Sequence, residues 1–385
     1  MSGGRGTVIA GGGTGGHVVP SLQIARALVE EGHTADSIEL YGSRRGQEAT
    51  VWPPLEFPYT LLPGRGIRRS LKPDAIWANL GAVIGLAWAC LRAVASFLRH
   101  RPRVVVVVGG YASFPAGLAA VVTRTPMVLV TTDAVPGAVN AALARFAAAS
   151  AVAFPGTDMP RAHVTGTPVK PEFNALERTP SARAKARTAL DLPPGRQTVA
   201  AFGGSLGALR INRAVAELAQ RWSSQKERSL YQVTGRRDYE QFARLTDGTS
   251  ADAVSRSSNA ASHLHYDVVP FEDRMPTLYG AADLCVSRAG AMSVGELVVA
   301  GMPAILVPLP GAPKDHQTKN AQALVDAGAA VLVPDAECTS ERLDRELTAL
   351  LNDPDRLESM AAAAKSLGHP DAAQQVARLV DAHAR

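Results

Sequence analysis

Three times in this 385-residue chain a short apolar, β-branched run ends in a cluster of glycines that opens onto a helical pattern. The clusters are Gly11-Gly12-Gly13-Thr14-Gly15-Gly16-His17, Gly109-Gly110-Tyr111-Ala112-Ser113 and Gly203-Gly204-Ser205-Leu206-Gly207-Ala208. A strand that turns tightly into a helix is the unit of a parallel sheet, because parallel neighbours need a long crossover and a helix supplies it. Similar apolar runs recur at Met127 to Val130 and Ala304 to Val307. The five consecutive valines Val104 to Val108 go further: a strand apolar on both faces must have helices covering both faces. The expected fold class is therefore α/β, with doubly wound parallel sheets.

The length exceeds what one ordinary core holds and suits two domains. The strand–helix rhythm breaks between Gly166 and Arg196, where Pro168, Pro171, Pro180, Pro193 and Pro194 crowd a polar stretch, and it restarts at Val199. We expect an N-terminal domain over 1–169, a C-terminal domain over 170–365, and a terminal helix over 366–385 packing back on the first, the two Rossmann-like domains facing a cleft. Cys90, Cys285 and Cys338 are odd in number and widely spaced, so neither a disulfide framework nor a zinc site is indicated. The glycine-rich start, Met1 to Thr7, has no room for the apolar core of a signal peptide, and a reducing cytoplasm fits best.

A formal charge of +5 favours an acidic partner, whether a phosphate-bearing ligand, nucleic acid or anionic lipid. The basic residues bracket one element: Arg65, Arg68, Arg69 and Lys72 precede the uncharged stretch Ala75 to Leu91, and Arg92, Arg99, Arg101 and Arg103 close it. Its 17 residues sit at the bottom of the transmembrane range and include Asn79, Gly81 and Gly85. A partly buried helix, a helix with one lipid-facing side and a true span all fit this pattern; only the second predicts peripheral membrane binding.

A glycine turn at a helix start offers unpaired N–H groups and the positive end of the helix dipole to an anion, and pyrophosphate suits it. A single such turn serves equally well for packing; three of them point to phosphate. A nicotinamide dinucleotide enzyme would need an acidic residue about 20 positions on, at the end of the second strand; here that strand ends Leu40-Tyr41-Gly42-Ser43, followed by Arg44 and Arg45. No turn continues as Gly-Lys-Ser/Thr, which removes a phosphate-loop nucleotidase.

Taken in order, Gly12 to His17, Gly109-Gly110-Tyr111, Pro136-Gly137 with Asn140, Gly203 to Ala208, and Ser287-Arg288-Ala289-Gly290-Ala291-Met292-Ser293-Val294-Gly295-Glu296 resemble the MurG family of glycosyltransferases over nearly the whole chain. The resemblance implies the two-Rossmann-domain (GT-B) fold, with acceptor on the first domain and donor on the second. It implies inverting, metal-independent transfer of N-acetylglucosamine from UDP-N-acetylglucosamine, with no cofactor. The acceptor would be the C4 hydroxyl of undecaprenyl-diphosphate-linked muramoyl-pentapeptide (lipid I to lipid II), at the anionic cytoplasmic face of the cell membrane. No nucleic acid partner is implied.

By the same resemblance the donor side comprises Lys170, Gly204, Ser205, Leu206, Gly207, Ala291, Met292, Ser293, Glu296 and Gln317. Glu296 would accept hydrogen bonds from both ribose hydroxyls, the Gly204 to Ala208 turn would hold the diphosphate, and Gln317 would read the sugar. The acceptor side comprises Thr14, Gly15, Gly16, Gly110, Tyr111 and Asn140. His17 is the candidate base for the acceptor hydroxyl, with acceptor positioning and helix capping as its other readings. Three departures stand out. Val130-Thr131-Thr132-Asp133 replaces the family's His-Glu-Gln-Asn, Thr318 replaces a common glutamine, and Lys170 replaces an arginine with its bidentate fork. The first leaves room for another lipid-linked or natural-product acceptor, or for a non-catalytic binding protein.

Overall fold

The computed structural model describes residues 6–63, 73–204, 207–246 and 263–385, with the backbone alone over 73–80 and 244–246. Ser205 and Leu206, and Arg65, Arg68, Arg69 and Lys72, lie outside the described residues. The chain divides into two compact units, Met1–Lys170 with His369–Arg385, and Pro171–Gly368.

Among the described residues unit 1 holds seven strands: β1 Thr7–Gly11, β2 Ile38–Ser43, β3 Tyr59–Leu62, β4 Val104–Gly109, β5 Met127–Thr131, β6 Ala149–Val152 and β7 Ala162–Val164. They pair in the order β3-β2-β1-β4-β5-β6-β7, every pair parallel. The valine run is β4, the central strand, and its side chains divide as the pleat requires. Val104, Val106 and Val108 join Ile9, Ile24, Leu28 and Trp52 on one face, where Val376, Ala377 and Val380 of the helix Ala372–His383 also pack. Val105 and Val107 join Val8, Tyr41, Phe97 and Leu129 on the other. Neither face of the strand meets water, and alternation of apolar with polar residues has nothing to select it.

The described residues of unit 2 hold six: β8 Gln197–Phe202, β9 Arg228–Val233, β10 His265–Val269, β11 Leu284–Ser287, β12 Ala304–Leu306 and β13 Ala330–Leu332, in the order β10-β9-β8-β11-β12-β13, again all parallel. Trp222, Ile211, Leu218, Leu343 and Leu350 cover one face of it.

Each sheet reverses its winding direction once. In unit 1 the chain runs outward through β1, β2 and β3 and returns to place β4 on the other side of β1; in unit 2 it leaves through β8, β9 and β10 and returns to place β11 beside β8. Crevices at the carboxyl ends of strands on either side of such a reversal are where doubly wound sheets bind ligands. The glycine clusters of the sequence follow β1, β4 and β8, and the Ser287 to Glu296 motif leaves β11. All of them therefore border one of the two reversal points.

The 28-residue helix Pro73–His100 carries the uncharged stretch. Its inner side, Ala82, Ala89, Ala93 and Phe97, is buried in unit 1, with Phe97 edge-on to Tyr41. Its outer side exposes Ile84, Trp88, Leu91 and Leu98 at helical spacing, with Arg92 and Arg99 beside them. Over Gly81–His100 the mean hydropathy reaches 1.8, enough to cross a membrane by length and composition. The buried inner side makes it a structural helix of unit 1 whose outer face is apolar.

Candidate active site

In unit 1 the turns after β1 and β4 interlock. Gly110 has φ +75°, and a Cβ on it would stand 2.3 Å from the Gly12 carbonyl oxygen and 3.1 Å from His17 Nδ1. A Cβ on Gly109 would stand 3.0 Å from His17 Nε2 and 3.9 Å from Asn140 Oδ1, and one on Gly13 3.3 Å from the Tyr111 ring. These contacts place His17, Gly110, Tyr111 and Asn140 around one reversal point, although 123 positions separate His17 from Asn140.

Thr14 precedes the helix Gly15–Glu30 in an extended conformation, and its Oγ1 lies 3.3 Å from His17 Nδ1. The His17 and Val18 N–H groups donate to the Thr14 carbonyl. The N–H groups of Gly15 and Gly16 open that helix and have no carbonyl one turn back within it. Burial holds the His17 imidazole below its ordinary value, against the opposing pull of Asp133, of a backbone hydrogen bond at Gly12 and of Glu48. Burial thus favours the neutral imidazole, the form able to take a proton.

Asn140 is buried. Its Nδ2 donates to the Val130 carbonyl at 2.8 Å and to Thr131 Oγ1 at 3.0 Å, so Thr131, one of the four departing residues, fixes the amide. Its Oδ1 is buried and has no hydrogen-bond partner among the described residues.

Sequence reasoning passed over Glu48. The residue is fully buried, and its carboxylate accepts from Gly13 N–H at 2.8 Å and Ser43 N–H at 2.8 Å. The clue available was a glutamate between Gly46 and Trp52 in an otherwise apolar to basic stretch, and nothing in its spacing ties it to a glycine 35 positions earlier.

In unit 2 the turn after β8 is closed by Gly207 N–H donating to the Gly204 carbonyl at 2.9 Å. Gly207 also has φ +75°, and a Cβ there would meet the Thr234 carbonyl at 2.2 Å. Buried Asn212 ties the following helix Leu209–Arg221 to the same place, its Nδ2 donating to the Thr234 carbonyl and to Asp238. After β11, Gly290 caps the helix Ala291–Ala300, which carries Ala291, Met292, Ser293 and Glu296. Glu296 accepts from Tyr279 Oη at 3.4 Å, and burial beside that carboxylate pushes the phenol well up, so it stays a donor.

Arg288, the second residue of the motif, is engaged structurally: it donates to the Val307 and Pro308 carbonyls and pairs with Asp335 at 2.6 Å. Gln317, on the helix His316–Asp326, accepts from Leu309 N–H at 2.9 Å. Neighbouring Asn320 is buried and donates to the Ala289 carbonyl, linking that helix to the Ser287 to Glu296 motif. Lys170 is exposed at the end of the first segment of unit 1.

Paired doubly wound units with anion-ready amides at each reversal point form the architecture of nucleotide-sugar glycosyltransferases. Solved structures of low identity share the fold over nearly the whole chain, among them the glycotransferase of kitacinnamycin (17% identical, TM-score 0.68, covering 100% of each chain). Residues 7–152 match the glycosyltransferase family 28 N-terminal domain and residues 198–376 its C-terminal domain. The chain belongs to glycosyltransferase family 28 and, within it, to the MurG family.

Two curated relatives carry the name UDP-N-acetylglucosamine--N-acetylmuramyl-(pentapeptide) pyrophosphoryl-undecaprenol N-acetylglucosamine transferase. That of Alkalilimnicola ehrlichii is 39% identical, over 98% of this chain and 99% of its own, and that of Desulforudis audaxviator is 36% identical over 97% of each. The crystal structure of Acinetobacter baumannii MurG is 28% identical with a TM-score of 0.73, covering 98% of this chain and 99% of that one.

The interlocked turns make a prediction. Gly110→Ala combines a left-handed backbone with a clash against the Gly12 carbonyl and is expected to cost about 1–3 kcal/mol or more. Gly137→Ala, at φ −61° with open space around it, is expected to be near neutral. Thermal unfolding of the two variants measures the contrast, and equal melting temperatures contradict the geometry.

Proposed function

We propose that the chain transfers N-acetylglucosamine from UDP-N-acetylglucosamine to the C4 hydroxyl of undecaprenyl-diphosphate-linked muramoyl-pentapeptide, forming a β-1,4 bond and lipid II for peptidoglycan synthesis. The observation that carries this is the ordered family motif set seated at both reversal points, in a chain matched end to end by relatives of that name. Unit 1 takes the acceptor and unit 2 the donor.

The reaction is a single inverting displacement. The acceptor hydroxyl oxygen attacks the anomeric carbon, its proton passes to His17, and the bond to the UDP oxygen breaks. His17 suits the step because burial keeps it neutral. Gly15, Gly16 and Gly110 face the acceptor diphosphate with Thr14, while Tyr111 and Asn140 hold the muramoyl group. Asn140 Oδ1 has no hydrogen-bond partner among the described residues, which leaves one acceptor unused.

On the donor side Glu296 holds the ribose hydroxyls, with Tyr279 fixing its second oxygen. The Gly204, Ser205, Leu206 and Gly207 turn holds the diphosphate, Ala291, Met292 and Ser293 line it, Gln317 reads the sugar hydroxyls, and Lys170 adds charge. The charge that develops on departing UDP is met by the open N-terminus of the helix Leu209–Arg221. The displacement so described calls on neither metal nor cofactor.

The apolar outer side of the helix Pro73–His100, with Arg92 and Arg99 beside it, suits the boundary between acyl chains and anionic headgroups. We place the enzyme on the cytoplasmic face of the cell membrane as a peripheral protein.

Purified protein incubated with labelled UDP-N-acetylglucosamine and a short-chain lipid I should yield lipid II. Donor binding without transfer to that lipid would instead favour another polyprenyl-linked acceptor, a reading that the Thr131 and Asp133 substitutions motivate. His17→Ala should lower kcat about 10²- to 10⁴-fold with the donor KM kept. Because the base must be neutral, wild-type kcat/KM should fall as pH drops through a value below 6.5 and stay flat above it. An acidic limb unchanged in His17→Ala would dismiss the base. Glu296→Ala, losing hydrogen bonds to a charged group worth about 1.5–3 kcal/mol each, should raise the donor KM at least about tenfold. Unchanged donor kinetics would remove that role. Ile84→Glu with Trp88→Glu should abolish flotation with anionic liposomes while sparing turnover of a soluble acceptor; persistent flotation argues against this face.

A further inference from the structure

The first glycine turn contains a carboxylate that neither the motif nor the reaction outlined above uses. Glu48 begins the single helical turn Glu48–Val51 after β2, and its side chain runs back beneath the Gly11 to Gly16 turn into a slot made by three glycines. A Cβ on Gly12 would lie 2.3 Å from Glu48 Oε1, one on Gly46 2.1 Å from Oε2, and one on Gly42 2.6 Å from Cγ. Each carboxylate oxygen takes one backbone N–H, from Gly13 and from Ser43. The turn is clasped from its other side as well: the Tyr111 ring lies against Gly13, and Tyr111 Oη donates to Ser43 Oγ at 3.1 Å.

This arrangement has two consequences. Gly13 N–H points inward at a fixed anion, so it is not available to a second one. A diphosphate at this turn must then be met further along, by the N–H groups of Gly15 and Gly16 at the open end of the helix. Gly13 is also held at φ +93°, the conformation that turns the chain so that His17 reaches the Gly109-Gly110 backbone.

We propose that Glu48 is a positioning residue for the transfer: its buried carboxylate fixes the first glycine turn so that Gly15 and Gly16 meet the acceptor diphosphate and His17 meets the acceptor hydroxyl. The assignment rests on the acceptor reading given above. Through space Glu48 also acts on the base. Among the described residues the charged groups that act on His17 are Asp133, from the turn after β5, and Glu48, from the turn after β2, and both favour the protonated ring. Removing the Glu48 charge therefore lowers the pKa of His17, whereas a residue that merely supported the fold would leave it in place.

The test uses the full chain, labelled UDP-N-acetylglucosamine and a short-chain lipid I, with initial rates over both substrates and over pH. Glu48→Gln keeps the volume but offers one acceptor where two N–H groups need one each. It should lower kcat/KM for the acceptor at least tenfold, leave the donor KM within twofold, and move the acidic limb of the pH profile to lower pH. Glu48→Asp keeps the charge and shortens the reach; it should lose acceptor kcat/KM while its acidic limb stays near the wild-type pH. Glu39→Gln, at a buried carboxylate of β2 that accepts from Thr60 Oγ1 of β3, serves as the fold control and should leave both the acceptor KM and the limb unchanged.

Wild-type acceptor kinetics and limb in Glu48→Gln overturn the assignment, as does an equal loss toward donor and acceptor with the limb unmoved. Should Glu48→Gln not fold, a wild-type acceptor kcat/KM in Glu48→Asp overturns it instead. A wild-type chain that transfers to no lipid diphosphate overturns the functional reading and the assignment together, whereas a normal Glu48→Gln beside an active wild type overturns the assignment alone.

Discussion

Both units depend on the same close approach. In each unit a glycine with φ +75° brings its Cα against a carbonyl of the turn after a neighbouring strand, Gly110 against Gly12 across the β4–β1 reversal in one and Gly207 against Thr234, after β9, in the other. A methyl group at either place would stand within 2.3 Å of that oxygen. The approach lets two turns from neighbouring strands share one small volume, and it is what leaves the following helix N-termini open. His17 in unit 1 and the helix Leu209–Arg221 in unit 2 owe their positions to it.

Around His17 several effects oppose one another, and burial wins. Two carboxylates and a backbone hydrogen bond favour the imidazolium, yet the imidazole stays below its ordinary value. A base of this kind is neutral at rest and is stabilised by nearby negative charge once it has taken the proton. By the resemblance, Asp133 stands at a position of asparagine and Thr131 at one of glutamate. In this chain the Thr131 hydroxyl accepts from Asn140.

The parallel architecture was legible because it rests on local signals. Val104 to Val108 reports burial on both faces of β4, and glycines after β1, β4 and β8 report tight exits toward helices. The convergence of His17, Gly110, Tyr111 and Asn140 was approachable only through the family motif, since no periodicity links residues on different strands. Glu48 escaped entirely. Its place is written in the absence of side chains at Gly12, Gly42 and Gly46, three positions that touch only after the sheet has formed. Tyr279 beside Glu296 and Asn212 beneath Gly207 escaped for the same reason, each reaching its partner across strands. The long uncharged stretch was ambiguous because its two sides have the same apolar chemistry, and only packing tells the side facing Phe97's neighbours from the side bearing Trp88.

The helix Ala372–His383 supplies Val376, Ala377 and Val380 to the core of unit 1, while all of Pro171–Gly368 belongs to unit 2. Synthesis on the ribosome therefore releases the two halves out of step. Unit 2 is contiguous and complete once Gly368 has emerged, whereas the first half to be translated waits for the last residues before one side of its sheet is sealed. Until then Ile9, Leu28 and Val106 lie under an unfinished cover.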